Sequence, residues 1–342
     1  MIGYYIHHQG MGHLRRAQAI AAELPPGSVT GLSSRPRPEG WTGHWVQLDR
    51  DDTSTDPRGV DAGGHLHWVP VHDAGLRSRT ARLAGWILDA APAALVADVS
   101  VEAAVLARLH GVPVVTVALP GTREDPAHAL GYGISDAVIA AWPPQAGNML
   151  RSADSVLDRV EPVGAISGLP VQPGRAPGPV SRVLVLGGAG GGGMADAEID
   201  SARRQTPGVA WEALGTTAGN RTSDPLPHLL SASLVVTHAG QGALADVAAA
   251  GVPALVVPQE RPHEEQLTTG RALAAMPDLP VIVSDSYSRQ DWAAVLEAAA
   301  LLDGRNWSAW NDGRGAARAA QIITRVAADA PDSSRLRTGT RL

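Results

Sequence analysis

Short apolar runs alternate with helix-length amphipathic segments along nearly the whole chain. Ile2–Ile6 reads as a first strand. Leu14, Ala17, Ala21 and Leu24 then recur at helical spacing until Pro25-Pro26-Gly27 stops the run. Val29–Leu32, Ala94–Ala97, Val112–Ala118 and Ala137–Ala140 are predicted strands, and Val101–Leu109 a predicted helix. The stretch Asp49–Gly75, rich in Asp, Gly, His and Thr, is long for a structureless connection, so it is either a functional segment or hides an element. At Glu161–Val180 the pattern breaks: Pro162, Pro170, Pro173, Pro177 and Pro179 with several glycines read as a linker. The alternation then resumes, with strands Val183–Leu186, Val209–Leu214, Leu234–Thr237, Ala254–Val257 and Val281–Val283. Between and after them lie predicted helices Ala195–Gln205, Gln241–Ala250, Glu264–Ala275, Arg289–Leu302 and Ala316–Ala328. The segment after Pro331 has no apolar periodicity and reads as a frayed tail.

Two βα-alternating halves joined by a Pro-rich segment imply an α/β chain with two parallel-sheet domains. Ligands of such sheets bind beyond the carboxyl ends of the strands, which places a ligand in the cleft between the halves.

Composition narrows the chemistry. The 342 residues are 44% hydrophobic and 18% charged, enough apolar material for real cores. The net charge of −6 and the lack of a basic tract argue against broad nucleic-acid binding. The chain has no Cys, Phe or Lys, and all 28 basic residues are Arg, a bias that fits a GC-rich genome. No thiol nucleophile, disulfide, Cys-bound zinc, Schiff base or P-loop lysine is therefore available. No run of 18 consecutive apolar residues marks a membrane span, although peripheral membrane contact stays open, and MIGYYIHHQG does not resemble a secretory signal. The expectation is a cytoplasmic protein.

Three glycine-bearing turns follow strands. Gly10-Met11-Gly12-His13-Leu14-Arg15-Arg16 opens the first helix. The helix's positive end would keep His13 neutral, so its imidazole is a candidate base for a hydroxyl proton; a capped strand-to-helix turn is the alternative. Gly187-Gly188-Ala189-Gly190-Gly191-Gly192-Gly193 offers backbone N–H groups to phosphate. Gly188, Gly190 and Gly193 also satisfy a dinucleotide fingerprint with Glu212 downstream, although a loop this rich in glycine matches many patterns. The third turn is the most informative. Thr237-His238-Ala239-Gly240-Gln241-Gly242 leads into a helix carrying Asp246, followed by Gly251-Val252-Pro253, Pro258 and then Glu265-Gln266. This ordered polar set offers an imidazole and amides to a diphosphate, a carboxylate to a ribose diol and two polar side chains to a sugar. Among other candidates, Arg77, Arg79 and Arg82 could meet a phosphate group but read better as a solvated arginine face. His65, His67, His72 and Asp73 lack a tetrahedral ligand set and read as surface or acceptor-contacting groups rather than a metal site.

The series His238-x-Gly240-x-Gly242…Asp246, Gly251-x-Pro253, Pro258…Glu265-Gln266 resembles the donor signature of GT-B glycosyltransferases, in particular the MurG-like (family 28) and antibiotic glycosyltransferases. Gly10-x-Gly12-His13-x-x-Arg16 is similar to their N-terminal glycine loop and histidine. It also resembles the GT-B hydrolase of UDP-sugars in the pseudaminic acid pathway. The resemblance implies two Rossmann-like domains: 1–160 for the acceptor, a linker at 161–180, 181–312 for a nucleotide diphosphate sugar, and a helix at 313–330 returning to the first domain, with 331–342 as a flexible tail. It implies His13 as general base of an inverting transfer. His238, Gly240, Gln241 and Gly242 would meet the diphosphate, Asp246 the ribose, Glu265 and Gln266 the sugar. Gly10, Gly12, Gly188 and Gly190 would lie close to the phosphates or acceptor. No tightly bound cofactor or metal is implied; the donor is most often a UDP-sugar and the acceptor is unspecified. Ala243 stands where the family often has Thr, and Asp246 where it usually has Glu, which leaves UDP, TDP and GDP open. A nucleotide-sugar hydrolase, an NAD(P)-dependent oxidoreductase and a non-catalytic nucleotide-sugar-binding protein are the competing readings.

Overall fold

A computed structural model describes residues 1–188, 193–217, 220, 222 and 224–329. The first seven-stranded sheet draws on β1 (Ile2–Tyr5), β2 (Val29–Ser33), β3 (His44–Gln47), β4 (Ala94–Asp98), β5 (Val114–Ala118), β7 (Ala137–Ala140) and β9 (Val160–Pro162), and β6 (Gly121–Thr122) pairs with β8 (Leu150–Arg151) beside it. The second sheet has five strands: β10 (Arg182–Leu186), β11 (Ala210–Leu214), β12 (Leu234–Thr237), β13 (Ala254–Val256) and β14 (Val281–Val283). All pairings are parallel. The helices are α1 (Met11–Ala22), α2 (Ala74–Ala90), α3 (Val101–Leu109), α4 (Pro126–Gly133), α5 (Asp154–Leu157), α6 (Asp196–Gln205), α7 (Leu226–Ser231), α8 (Gln241–Ala250), α9 (Glu265–Ala274), α10 (Trp292–Ala299) and α11 (Gly315–Ala328).

Helices cover both faces of each sheet, which is why the central strands are continuous apolar runs rather than alternating ones. Gly3 sits inside β1 because the Trp86 indole of α2 lies against it; an added Cβ would come 2.7 Å from that ring. The sheet orders are β3-β2-β1-β4-β5-β7-β9 and β11-β10-β12-β13-β14. Chain direction across the sheet reverses between β1 and β4 in the first and between β10 and β12 in the second. The carboxyl ends of those pairs open the crevices where α/β sheets bind ligands.

Two sequence expectations change. The Pro-rich segment does not act as a linker from its first residues, because Val160–Pro162 pair with β7 as the sheet's edge strand. Proline is tolerated there because an edge strand has no further neighbour to receive its missing N–H. His44–Gln47, short and half-exposed, is an edge strand that an apolar-run criterion passes over. The end of the chain returns to the first half. Ile322, Ile323 and Val326 of α11 share one buried cluster with Ile2, Tyr4 and Ile6, and Arg318 donates to the Val163 carbonyl at 2.9 Å. An Arg325–Glu161 ion pair fastens the same helix to β9.

Because Ile323 is fully buried between α11 and the first sheet, Ile323→Ala is expected to lower stability by about 2–5 kcal/mol. A urea melt showing no shift in midpoint would mean that this helix does not hold the first core together.

Candidate active site

The chain leaves β1, turns at Gly10 with φ of +78°, and enters α1. The positive φ explains the glycine, since an L side chain there is strained. One turn in, His13 Nδ1 lies 3.1 Å from Asp98 Oδ1 at the end of β4. Pairing of β1 with β4 brings the two together: Tyr5 is in register with Ala97, so the groups that follow both strands emerge side by side. Arg16, one turn further along α1, donates to the same Asp98 oxygen at 2.5 Å and stands 3.1 Å from His13 Nδ1. Arg16 is thus nearer the carboxylate than the ring, and the Nδ1 proton goes to Asp98 as a charge-assisted hydrogen bond. The lone pair is left on Nε2. Burial would raise the Asp98 carboxyl, but the Arg16 guanidinium and His13 more than offset that and hold it down at about 2. Asp98 was not among the residues picked from sequence; its signal is an acidic residue closing an otherwise apolar strand.

In the second half, β12 ends at Thr237 and the turn His238-Ala239-Gly240 leads into α8. The Gly240 N–H donates to His238 Nδ1 at 2.9 Å. That bond fixes the opposite tautomer: Nδ1 is the acceptor and the proton sits on Nε2. Nε2 is buried with no partner among the described residues and points at Gly188, where any Cβ would collide with it. Burial, with Arg261 near, lowers His238 to about 4, so the ring is a neutral N–H donor. Gln241, first residue of α8, has both amide atoms buried without partners among the described residues. The Gln266 carbonyl accepts from Ala239 N and Gln259 N, both at 3.1 Å, and so pins this turn. Gly187 and Gly188 open the neighbouring loop after β10; Gly190 lies outside the described residues.

The two turns meet. A Cβ on Gly242 would lie 4.0 Å from the Gly12 Cα, so the first turns of α1 and α8 run side by side with both positive ends together. Arg15 donates to Asp246 Oδ2 at 3.2 Å across the same contact, and Ser167 donates to Oδ1 at 2.6 Å. Both oxygens of Asp246, nearly buried beside a cavity of about 720 Å³, are therefore occupied by protein donors. Glu265, at the start of α9, lies 3.6 Å from Arg123. Burial raises its carboxyl, while Arg123 and His13 pull it back.

Other expected features are relocated. Arg79 is not solvated: it is buried, 2.6 Å from Asp51 Oδ2, and donates to the Tyr5 hydroxyl. Glu212, the acid a dinucleotide reading needs, is held by His228 at 2.5 Å. His67 is exposed, as expected, and its ring meets His128 (3.4 Å), which also contacts Asp125 (2.6 Å). These three groups are close enough to hold a metal ion. Arg123 lies 3.3 Å from His128 Nε2, however, which makes Nε2 the acceptor and puts a proton on Nδ1, between the ring and Asp125. A cation would have to displace that proton beside a guanidinium.

Residues 223–274 match a family model described as the glycosyltransferase family 28 C-terminal domain. No curated protein matches the sequence. Among solved structures, the chain is similar to the glycotransferase of kitacinnamycin (15% identity, 95% of this chain and 98% of that one, TM-score 0.63). It is also similar to MurG of Acinetobacter baumannii (14%, 95% and 99%, 0.59) and to a UDP-glucosyltransferase from Polygonum tinctorium (13%, 96% and 98%, 0.61). These likenesses show the fold, which is GT-B.

Asp98 is ionised in the fold well below its unfolded value of about 3.9. Its stabilisation, roughly 2–3 kcal/mol, is therefore complete above about pH 4 and is lost as pH falls toward about 2. Asp98→Asn, which leaves the Arg16 guanidinium buried without its partner, should be clearly less stable than the parent at pH 7, and the gap should close below pH 4. A gap that stays constant in denaturant melts across that range would show that Asp98 is not ionised in the native state.

Proposed function

We propose that this GT-B glycosyltransferase, MurG-like in its C-terminal segment, transfers a sugar from a nucleotide diphosphate donor to an acceptor hydroxyl or amine by a single inverting displacement, with His13 as general base. The observation that carries the reading is the His13–Asp98 contact beside the paired starts of α1 and α8.

In this reading His13 Nε2 takes the acceptor's proton as the acceptor oxygen or nitrogen attacks the anomeric carbon from the face opposite the diphosphate. The bond to the diphosphate breaks and the configuration inverts. The imidazolium formed is stabilised by Asp98, which already carries a full negative charge. Charge developing on the diphosphate is met by the N–H groups that open α8, by the unpartnered His238 Nε2–H and by the Gln241 amide. Glu265 lies within reach of the transferred sugar. For Asp246 to hold a ribose, the diol would have to share the carboxylate with Arg15 or Ser167. A UDP-sugar is the first donor to test, since one structural neighbour is a UDP-glucosyltransferase. A roomy cavity adjoining His7, whose ring is 5.7 Å from that of His13, supports an acceptor larger than water over simple hydrolysis of the donor.

His13→Ala should lower the transfer rate about 10²–10⁴-fold while UDP still raises the melting temperature as in the parent. Transfer at the parental rate would dismiss His13 as the base. Separately, His238→Ala should weaken UDP binding by about tenfold, the loss of one hydrogen bond to a charged group; calorimetry showing an unchanged affinity would remove His238 from the donor site.

A further inference from the structure

A loop of the first half lies against the start of α9 in the second. Gly121, with φ of +103°, opens β6, and a Cβ there would collide with the His263 carbonyl oxygen, so backbone meets backbone at this point. His263 donates from Nδ1 to the Thr122 carbonyl at 3.2 Å. The turn on the other side is unusual in its own right: His263 and Glu264 have φ of 61° and 57° without being glycine. Immediately after these contacts come Arg123 on the loop and Glu265 on the helix.

Arg123 is only 4% exposed and is tied to its own half. One terminal nitrogen donates to the Pro120 carbonyl at 3.0 Å, and the other lies 3.3 Å from His128 Nε2. Its backbone N–H donates to the Arg151 carbonyl at 2.8 Å, where β6 pairs with β8. The nitrogen that serves Pro120 stands 3.6 Å from Glu265 Oε2. That is a contact of charges and too long for a hydrogen bond, so it fixes the carboxylate without filling its lone pairs. The Glu265 side chain is 27% exposed and so is open to a ligand, as Arg123 is not. An ionised carboxylate is an acceptor that suits paired hydroxyls. Burial raises the Glu265 carboxyl; Arg123 lowers it most, followed by His13, Arg16 and Arg261.

We infer that Arg123 is a positioning residue for donor recognition: it reaches across from the first half and fixes the Glu265 carboxylate, so that a hexose on the diphosphate is held only where the two halves meet at this loop. The inference rests on the transferase reading above, in which Glu265 meets the transferred sugar. The diphosphate lies outside this control, because His238 is set by Gly240, and its turn by Gln266, all within the second half.

The test is calorimetric binding of UDP, UDP-glucose and UDP-N-acetylglucosamine to the full chain. Arg123→Gln should weaken whichever UDP-sugar the parent binds by about tenfold, the loss of one interaction with a charged group, and leave UDP as in the parent. Adding Arg123→Gln to Glu265→Gln should cost nothing more, because Arg123 acts through that carboxylate. Two readouts separate positioning from general damage. Without the cation that lowers Glu265 most, the carboxylate takes up its proton earlier on acidification, so UDP-sugar binding by Arg123→Gln should fall off at higher pH than in the parent. Gly121→Ala, which pushes the loop off the His263 carbonyl and removes no charge, should reproduce the loss. It keeps the test readable where Arg123→Gln folds poorly. Equal losses for UDP and the UDP-sugar, losses that add in the double variant, an unmoved pH profile, full UDP-sugar binding by Gly121→Ala, or a parent that binds UDP and neither UDP-sugar would each overturn the inference. A parent that fails to bind UDP would sink the donor reading itself, and the inference with it.

Discussion

Two helices that begin side by side concentrate positive charge at one place, and the arrangement follows from where each sheet reverses its winding. In the first sheet β1 and β4 are neighbours, so the turn into α1 and the end of β4 share a crevice. In the second, β10 and β12 are neighbours, so the glycines after β10 abut His238 after β12. When the halves meet at Gly12 and Gly242, the two helix starts come together. The first turns of the two helices hold N–H groups without intrahelical partners. An anionic leaving group is the kind of ligand such a place stabilises. Arg15–Asp246 and Arg123–Glu265 cross between the halves at the edges of this contact and fix how the two crevices are aligned.

The cost of the first crevice is a carboxylate with no solvent access. Asp98 stays ionised because Arg16 and His13 both lie against it, and Arg16 is itself buried, so neither charge is free to act elsewhere. A buried pair of this kind is poor evidence of stability gained over an apolar core. What it does secure is orientation: the histidine ring is held at one nitrogen, Nδ1, by groups that are themselves fixed.

Much of the fold was legible because parallel strands covered on both faces are nearly continuous apolar runs. Ala137–Ala140, Leu234–Thr237 and Val281–Val283, and helices Val101–Leu109 and Gln241–Ala250, stand where their hydrophobic pattern puts them. Edge strands were hidden. His44–Gln47 is half-exposed and Val160–Pro162 carries a proline, so neither gives an apolar run. The three glycine turns were visible because glycine next to a strand end is a local signal. Asp98 was not, because its importance comes from strand order, which places a residue 85 positions from His13 in contact with it. The burial of Arg79 was hidden for the same reason. Arg79 sits on a helix whose charges look solvated along the sequence, and only the tertiary contact with Asp51 and Tyr5 shows it to be buried.

Histidine serves opposite ends of the proposed reaction, and the difference lies at Nδ1 alone. At His13 a carboxylate receives the Nδ1 proton, which leaves a lone pair on Nε2. At His238 a backbone N–H of the next turn supplies the hydrogen bond to Nδ1, which puts the proton on Nε2. One ring is thereby fitted to take a proton and the other to donate a hydrogen bond. Neither ring's own composition decides this. For His13 the decision belongs to the pairing of β1 with β4, and for His238 to the glycine that lets the backbone turn under the ring, where a Cβ at Gly240 would strike it. Gln266 then completes the second arrangement from α9 by accepting from Ala239 and Gln259, so the tautomer of His238 depends on a turn that is itself held by a side chain from the next βα unit. Which nitrogen of each ring carries the proton is therefore set by backbone topology first and by side-chain identity second.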